Sequence, residues 1–333
     1  MSEDAVKNED TVKNEDAFRK GAFWNEAAFW SEDANGVVKC SLCPHNCKLS
    51  KGASGICGVR SNTNGVLMAN GYGEVSSVAL DPIEKKPLYL FEPGKMVLSI
   101  GGYGCNLRCP FCQNYEISMV YAEGKHSAGV HSAGGRSAIE HSAGEHRAKE
   151  RRIRPEEVAE LALRTVSKGN IGVAYTYNEP LINYEFLRDC ATLVHEAGLK
   201  NVAVTNGYIN EEPLLTLLPL IDAMNIDLKA FSERFYQKVN GSAEAVKRTI
   251  ELASKRCHVE VTTLVIPDEN EDDVEDIAKW IASIDCHIPL HLSRFFPRYR
   301  YSDKEPTPVG KIQSLCDVAR KHLTHVFAGN IRV

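Results

Sequence analysis

From residue 96 onward, short apolar runs alternate with longer stretches in which apolar residues recur at helical spacing. We interpret the apolar runs as strands at residues 96–100, 172–176, 201–205, 223–228, 259–266 and 290–294, with a further candidate at 325–328. The helical patterns between them cover residues 155–167, 181–197, 243–255, 271–284 and 310–322. This alternation predicts an α/β fold with a parallel sheet and right-handed crossovers. About six such units are typical of a partial (β/α)6 barrel, TIM-like but open on one side.

Three cysteines, Cys105, Cys109 and Cys112, follow the first predicted strand at C-x3-C-x2-C spacing. They come directly after a glycine-rich run that extends from Gly101 to Gly104. Three thiolates can hold three irons of a [4Fe–4S] cube, whereas electron-transfer cubes commonly use four. The spacing therefore indicates a cluster with one iron left open for a small molecule. A zinc knuckle or three unrelated thiols are the alternative interpretations.

Polar residues follow the end of nearly every predicted strand. In barrels of parallel strands the working residues lie at the C-terminal strand ends. One polar turn there would mean little, whereas five such turns beside a cysteine loop indicate a site. In chain order these residues are Asn178 and Glu179, Thr205 and Asn206, Asp227 and Lys229, Pro267 and Asp268, and His291, Ser293 and Arg294.

The cysteine spacing, with the aromatic Phe111 just before the third cysteine, resembles the signature of the radical S-adenosylmethionine (SAM) superfamily. More closely, the chain resembles the radical SAM component of the AmmeMemoRadiSam group, which is related to pyruvate formate-lyase activating enzyme. The matching segments lie within residues 39–120 and 153–330, and they include Cys43-Pro-His-Asn-Cys47, Asp81-Pro-Ile-Glu-Lys-Lys-Pro-Leu-Tyr89, Tyr175-Thr-Tyr-Asn-Glu-Pro180 and Asp227-Leu-Lys229. The resemblance implies the partial barrel of this superfamily, a [4Fe–4S] cluster on Cys105, Cys109 and Cys112, and SAM at the open iron.

The resemblance also implies which residues bind SAM. Asn178 and Glu179 stand in place of the superfamily's Gly-Gly-Glu element, and Asp227, Lys229 and His291 match SAM-binding positions of the activating enzymes. The charges of SAM agree with these positions, because its ammonium needs an acceptor such as Glu179 and its carboxylate needs a donor such as Lys229, His291 or Arg294. Ribose hydroxyls suit Asn206, with Thr205 in the same turn, or Asp227 with Lys229, and Phe111 suits packing beside the cluster and adenine.

Each of these assignments has a structural alternative. Glu179 is also what a helix N-terminus favours, because a carboxylate there interacts well with the helix dipole. Asp227 and Lys229 could form a surface ion pair and no more. His291 lies between apolar neighbours, so a core histidine with satisfied hydrogen bonds is an equally good interpretation.

A second group of cysteines, Cys40, Cys43, Cys47 and Cys57, has C-x2-C-x3-C-x9-C spacing. Four thiolates complete a tetrahedral zinc site or an iron–sulfur cluster equally well. This group therefore predicts a second metal site whose metal the sequence leaves open, with unligated structural thiols as the alternative. The remaining cysteines, which lie in helix or strand patterns and fit core positions, are Cys190, Cys257, Cys286 and Cys316.

The sequence also predicts how the chain is divided. Residues 1–38 form an acidic tail that we expect to be disordered, and residues 39–92 form a cysteine-rich extension with hairpin patterns. Residues 93–333 form the barrel. A repeated His-Ser-Ala-Gly motif at 121–152 interrupts it and predicts a low-complexity insertion.

Composition narrows the functional classes. The 333 residues carry a net charge of −5, which gives no reason to expect binding to nucleic acid or to a membrane surface. No apolar run reaches the roughly 20 residues that a membrane helix needs. Eleven cysteines without an export signal predict a reducing compartment, and we therefore expect a cytoplasmic protein.

These features together predict a radical SAM enzyme of the oxidoreductase type. Such an enzyme cleaves SAM reductively to a 5′-deoxyadenosyl radical, which abstracts hydrogen from a small-molecule or protein substrate that the sequence does not identify. The expected electron donor is a protein such as flavodoxin or ferredoxin. The alternatives are an activating enzyme for a glycyl-radical enzyme and a non-catalytic iron–sulfur or zinc scaffold.

Overall fold

The computed structural model describes residues 25–121 and 152–331. Five short strands form the N-terminal part: β1 Trp30–Glu32, β2 Val38–Cys40, β3 Lys48–Leu49, β4 Arg60–Thr63 and β5 Val66–Ala69. Eight strands form the main sheet: β6 Ser77–Pro82, β7 Met96–Gly101, β8 Asn170–Thr176, β9 Lys200–Thr205, β10 Ala223–Asp227, β11 His258–Val265, β12 Leu290–Arg294 and β13 Val326–Gly329.

Within the described residues, eight α-helices connect these strands: α1 Tyr115–Ser118, α2 Pro155–Arg164, α3 Tyr184–Glu196, α4 Glu211–Leu217, α5 Glu233–Lys238, α6 Ala243–Ala253, α7 Val274–Ile284 and α8 Val309–Ala319. Short 3₁₀ turns lie at Ile83–Lys85, Val166–Lys168, Pro180–Asn183, Leu218–Leu220, Glu271–Asp273 and Tyr299–Tyr301. Within the described ranges, none of the helices is long and apolar enough to cross a membrane.

The main sheet runs in sequence order from β6 to β13. Strands β7 to β13 are parallel, and only β6 is antiparallel, along β7. In the described part of the chain β13 and β6 are the two edge strands and are not paired with each other. The fold is therefore the α/β partial barrel that the alternating pattern predicts, and the candidate strand at 325–328 is the seventh parallel strand.

The two faces of this sheet are packed differently. One face carries Val173, Tyr175 and Met224 against the helices, in the main hydrophobic core. The opposite face carries Val97, Ala174, Val202 and Ala223, and these pack against Ile83 and Leu88 from the segment between β6 and β7. That segment therefore fills the inner face of the barrel, beneath the strand ends where a site would lie.

Polar side chains on the inner face hold the filling segment in place. Asn225 Nδ2 donates to the Pro87 carbonyl at 2.8 Å. Glu260 accepts from the backbone N–H groups of Tyr89 at 3.0 Å and Leu90 at 2.8 Å. The predicted division at residue 92 thus differs from the structure, because β6 and residues 83–91 are part of the main sheet and its inner core.

The N-terminal segment also differs from the prediction. The described structure begins at Asn25, well before residue 38, and it is held there because Ala28 N–H donates to Glu185 Oε1 at 2.7 Å and the Phe29 ring packs edge-on against Tyr184 at 5.0 Å. Strand β1 then pairs antiparallel with β2. The first 24 residues of the predicted tail and almost all of the predicted His-Ser-Ala-Gly insertion lie outside the described residues.

Candidate active site

The three-cysteine loop begins where β7 ends. Gly104, at φ +82°, turns the chain into Cys105, and a side chain at this position would approach the Cys57 carbonyl to 2.5 Å. Two N–H groups point at the Cys105 sulfur: the backbone of Leu107 at 3.4 Å and the amide of Asn206 at 3.6 Å. Donors of this kind suit a sulfur that carries negative charge, as a metal-bound thiolate does.

Burial keeps the three thiols protonated in the absence of a cation. It raises the pKa of Cys109 to about 12, although the nearby Lys229 ammonium acts to lower it. Burial also raises the pKa of Cys105 and of Cys112. A buried thiol becomes a thiolate readily only when a positive partner such as a metal binds it. The donor set therefore fits an iron–sulfur cluster: one buried and two half-buried thiols on one loop, with N–H groups aimed at the sulfur of Cys105.

Asn178, at the end of β8, braces the glycine-rich run before Cys105. Its Oδ1 accepts from Gly102 N–H at 2.9 Å, and its Nδ2 donates to the Gly104 carbonyl at 3.1 Å. The side chain thus binds the backbone on both sides of Tyr103. We predicted Asn178 as a SAM-binding residue, and the structure gives its side chain the task of fixing the loop.

Glu179 is 2 % exposed and lies at the centre of the strand ends. Its Oε1 accepts from Leu181 N–H at 3.0 Å and from the Thr205 hydroxyl at 2.7 Å, and its Oε2 accepts from Asn206 N–H at 2.7 Å. The structural alternative is thus partly right, since Glu179 caps the turn Pro180–Asn183. Oε2 retains an acceptor site for an incoming donor. Burial raises the pKa of Glu179 to about 7.

Asn206 connects this carboxylate to the cysteine loop. Its backbone N–H binds Glu179, while its side-chain Nδ2 reaches both the Cys105 sulfur and Asn106 Oδ1, the latter at 2.9 Å. Its Oδ1 accepts from Tyr208 N–H at 2.8 Å, which holds the amide in this orientation. One residue therefore touches both halves of the predicted site.

Asp227 and Lys229 form an ion pair at the end of β10, with 2.9 Å between Asp227 Oδ2 and Lys229 Nζ. The Lys229 side chain is 13 % exposed and that of Asp227 is 40 % exposed, so the pair is only partly open to solvent. Burial opposes the charge of Lys229, but Asp227 outweighs it and raises the pKa of the ammonium. Because Lys229 also acts on the Cys109 thiol, the pair lies beside the cluster loop.

Two predicted site residues, His291 and Phe111, pack into the core. The His291 ring is 1 % exposed, with Nε2 at 2.5 Å from Glu260 Oε2, and it packs against Tyr89 and Phe327. It is a core histidine with a partner, because Glu260 on the neighbouring strand occupies its nitrogen. The Phe111 ring packs between Phe235 and Tyr301, at 5.9 and 6.0 Å, and so belongs to the core beneath the loop.

Two residues of the site were missed by the sequence interpretation. Asn106 donates to the Tyr208 carbonyl at 2.7 Å and accepts from Asn206, so it joins the cysteine loop to the turn after β9. Asn114 donates to the Tyr177 carbonyl at 2.6 Å, and Tyr177 has a positive φ of 71°. Asparagines inside or next to the cysteine motif were the available signal, because short amides commonly bind the backbone in turns.

The second cysteine group converges as well. Cys40, Cys43, Cys47 and Cys57 all line one cavity in the N-terminal part. The cysteines outside the two groups do not line it, and they remain free thiols. The predicted second set therefore comes together in space, around a volume that a bound group could occupy.

These features define a class of protein: a partial barrel whose strand ends surround a loop with three cysteines and an acidic acceptor. The model of the radical SAM superfamily matches residues 99–281, more than half of the chain. The chain belongs to the radical SAM superfamily, whose members use a [4Fe–4S] cluster and SAM.

Individual proteins are similar to this chain to different degrees. An uncharacterised protein of Methanocaldococcus jannaschii is 38% identical over 301 residues, which cover 88% of this chain and 81% of that protein. Another protein of that organism, provisionally named a glycyl-radical enzyme activating enzyme, is 25% identical over 248 residues, or 70% of this chain and 89% of its own. A solved domain of pyruvate-formate lyase-activating enzyme from Bacteroides vulgatus aligns with TM-score 0.43 and 18% identity, over 48% of this chain and 99% of that one.

Proposed function

We propose that this protein cleaves SAM reductively and uses the resulting 5′-deoxyadenosyl radical to abstract hydrogen from a substrate. The observation that carries the proposal is the position of Asn206, which contacts both the Cys105 sulfur and the Glu179 carboxylate. A single residue thereby bridges, in space, a cluster ligand and an acceptor for an ammonium group. SAM bound at an open iron requires this proximity, because its amino group must reach a protein acceptor.

Cys105, Cys109 and Cys112 are the residues that would hold the cluster. When bound, the [4Fe–4S] cluster supplies the electron that breaks the C5′–S bond of SAM. The electron would come from a donor protein such as flavodoxin or ferredoxin. The protein's own contribution is to orient SAM and to exclude water, and the burial of Cys109 and of Glu179 contributes to both.

Glu179 is the acceptor for the SAM ammonium in this proposal. Its carboxylate is fixed by three donors, so it does not have to reorganise when SAM arrives. Thr205 acts as a positioning residue for that carboxylate, and Asn178 as a positioning residue for the glycine-rich run. The Asp227–Lys229 pair, partly exposed at the next strand end, offers an acceptor for ribose hydroxyls and a cation for the SAM carboxylate.

Activation of a glycyl-radical enzyme is the second candidate. Two observations favour it: the 25% identical relative of that provisional name, and a sheet whose described edge strands β6 and β13 are not paired. An unclosed barrel side is what entry of a protein loop would require. Hydrogen bonds of the N-terminal part reach α3 and the loops after β7 and β9.

The test of the proposal is SAM cleavage by anaerobically reconstituted protein. After reduction with dithionite, we expect 5′-deoxyadenosine to form from SAM, and Cys105→Ala to abolish its formation. Cys286→Ser, at an exposed cysteine outside both groups, is the matched control and should behave as the unmodified protein. A reducible cluster without any cleavage, even after addition of an anaerobic lysate of the native source, would contradict the proposal.

The same assay separates the two substrate classes. The lysate is divided by ultrafiltration into a small-molecule fraction and a protein fraction. Stimulation of 5′-deoxyadenosine formation by the small-molecule fraction alone would favour a small-molecule enzyme. Stimulation by the protein fraction, together with a stable organic radical in its EPR spectrum, would favour the activating enzyme.

A further inference from the structure

The four-cysteine cavity lies outside the candidate active site, and nothing above assigns its contents. Its walls combine Cys40, Cys43, Cys47 and Cys57 with apolar side chains such as Leu42 and Ile182. Four thiols that face one enclosed space have a common ligand as their simplest explanation. The choice lies between one zinc ion and one iron–sulfur cluster, and the spacing of the sulfurs distinguishes them.

A zinc ion requires its four sulfurs to be close together. With Zn–S distances of about 2.3 Å, the sulfurs of a tetrahedral site lie about 3.8 Å apart. In the described part of the chain, the one set of three potential ligand atoms within 4.8 Å of one another is Asp285, Cys286 and His287, on the surface. No three of the four cavity thiols are therefore as close as even a loose zinc site needs.

The barrel thiols provide an internal standard. Cys105, Cys109 and Cys112 belong to a superfamily that binds a [4Fe–4S] cluster, and they too are absent from the described sets within 4.8 Å. Each thiolate of a cube binds a different iron, so its sulfurs stand further apart than those around a single ion. By this measure the N-terminal thiols have the wide spacing of a cluster site.

Arg60 supplies an independent observation. It lines the cavity, is 1 % exposed, and uses Nη1 to bind both carboxylate oxygens of Glu185 at 3.0 Å. Its Nε is buried and finds no hydrogen-bond partner in the described protein. A buried N–H without an acceptor is costly, so its position at this cavity points to an acceptor that the protein itself does not provide. The sulfides of a cluster are such acceptors, whereas a zinc ion adds none.

We propose that Cys40, Cys43, Cys47 and Cys57 bind a second [4Fe–4S] cluster, fully ligated by protein, whose sulfur accepts a hydrogen bond from Arg60 Nε. With four thiolates on four irons, no iron remains open for SAM. The inference does not depend on SAM cleavage, because it concerns metal content and spectroscopy alone.

This second site lies directly against the barrel loop. The Cys57 carbonyl approaches Gly104 so closely that no side chain fits there. His45 Nε2 lies 2.7 Å from the Asn106 carbonyl, one residue beyond Cys105. The Arg108 guanidinium binds the Ile56 carbonyl, which precedes Cys57. Residues adjacent to the ligands of the two proposed clusters are thus joined by side-chain-to-backbone hydrogen bonds and by one close backbone approach, and we expect the two clusters to be close neighbours.

Metal analysis provides the first test. Protein purified anaerobically from cells supplied with iron and zinc, then reconstituted, should contain about eight irons per chain, or about four for each cube. The double variant Cys43→Ala/Cys47→Ala and the variant Cys105→Ala/Cys109→Ala should each lose about half of the iron. About one zinc and about four irons per chain in the unmodified protein would overturn the proposal.

A second measurement starts from the unmodified protein, so its main result does not depend on the folding of a variant. In the reduced unmodified protein we expect two EPR signals, of which SAM changes only one, because only one cluster has an open iron. The signal that SAM leaves unchanged should be the one missing from Cys43→Ala/Cys47→Ala. A single signal that responds completely to SAM would contradict a second cluster. Cys286→Ser serves again as the matched control for loss of a thiol.

Discussion

The two cysteine sites of this protein differ in ligand number and in what surrounds them. The barrel loop offers three thiols, and its neighbours are polar: the carboxylate of Glu179, the amide of Asn206 and the Asp227–Lys229 pair. The N-terminal cavity offers four thiols, and its neighbours are largely apolar. An incomplete ligand set with polar groups within reach suits binding of a charged small molecule. A complete set behind apolar walls suits a group that stays in place.

We expect the largest effect on stability from the ion pair that joins the N-terminal part to helix α3. The Arg60–Glu185 pair is almost fully buried, with side chains 2% and 3% exposed, and Glu185 also accepts from Ala28 N–H. Glu185→Ala leaves a buried guanidinium unpaired, and we expect it to lower the free energy of unfolding by about 3–5 kcal/mol. The measurement is urea unfolding of the full chain. Glu160→Ala, which removes an exposed ion pair to Arg164, should cost no more than about 1 kcal/mol. Equal effects of the two substitutions would show that the buried ion pair contributes little.

The next largest effect concerns the polar surroundings of the barrel loop. Glu179→Gln removes the negative charge that we assign to the SAM ammonium while keeping shape and most hydrogen bonds. The loss of one charge-assisted hydrogen bond is worth about 1.5–3 kcal/mol, so we expect SAM to bind roughly 10- to 100-fold more weakly. Calorimetric titration of reconstituted protein with SAM measures this. Iron content should not change. An unaltered affinity would leave Glu179 as a structural cap of the turn at Pro180.

Contact between the two regions can be tested at one glycine. Gly104→Ala combines a positive φ of 82° with a Cβ that would lie 2.5 Å from the Cys57 carbonyl. Gly94 has a similar φ of 78°, and no atom lies within 4 Å of the place that a methyl group would take, so Gly94→Ala carries the backbone strain alone. We expect both to destabilise the protein, and Gly104→Ala to cost about 1–3 kcal/mol more because of the overpacking. Thermal unfolding compares the two. Equal costs would mean that the loops separate easily.

The sequence reveals different parts of this architecture for different physical reasons. Strands and amphipathic helices of the barrel follow from local periodicity, and the sequence places them within a few residues of where they lie. Strand-end residues such as Glu179, Thr205 and Asn206 converge as predicted, because parallel strands deliver their carboxyl ends to one edge.

The parts that could not be predicted depend on contacts distant in the sequence. Glu260, on the neighbouring strand, is the hydrogen-bond partner of the His291 imidazole. Arg60 pairs with Glu185, which is 125 residues away in the sequence. Likewise β6 joins the main sheet, and the segment behind it fills the inner face, through pairings that no local pattern records. The short helices α4 and α5, of 7 and 6 residues, have too few turns to show a helical period. Apart from these short helices, each case involves a partner that is distant in the sequence and that local periodicity does not specify.

The smallest effect that we predict is a pH dependence confined to the barrel site. Burial raises the pKa of Glu179 to about 7, so the ionised fraction rises from about one-tenth at pH 6 to about nine-tenths at pH 8. SAM binding to the ionised form should therefore strengthen about tenfold over this range. The effect on stability has the opposite sign. Between the unfolded pKa of 4.5 and about 7 the folded chain holds the extra proton, so this group's contribution to stability falls as pH rises.

The control for this pH dependence is Glu179→Gln, because a glutamine does not titrate. The ratio of SAM affinities between the unmodified protein and this variant removes the titration of SAM itself, and it should grow about tenfold from pH 6 to pH 8. Absorbance of the second cluster that we propose in the N-terminal cavity, measured in the same samples, should not follow this profile, since Glu179 does not line that cavity. A constant ratio across the range would show that the Glu179 carboxylate is already ionised at pH 6, and that the surrounding donors outweigh burial.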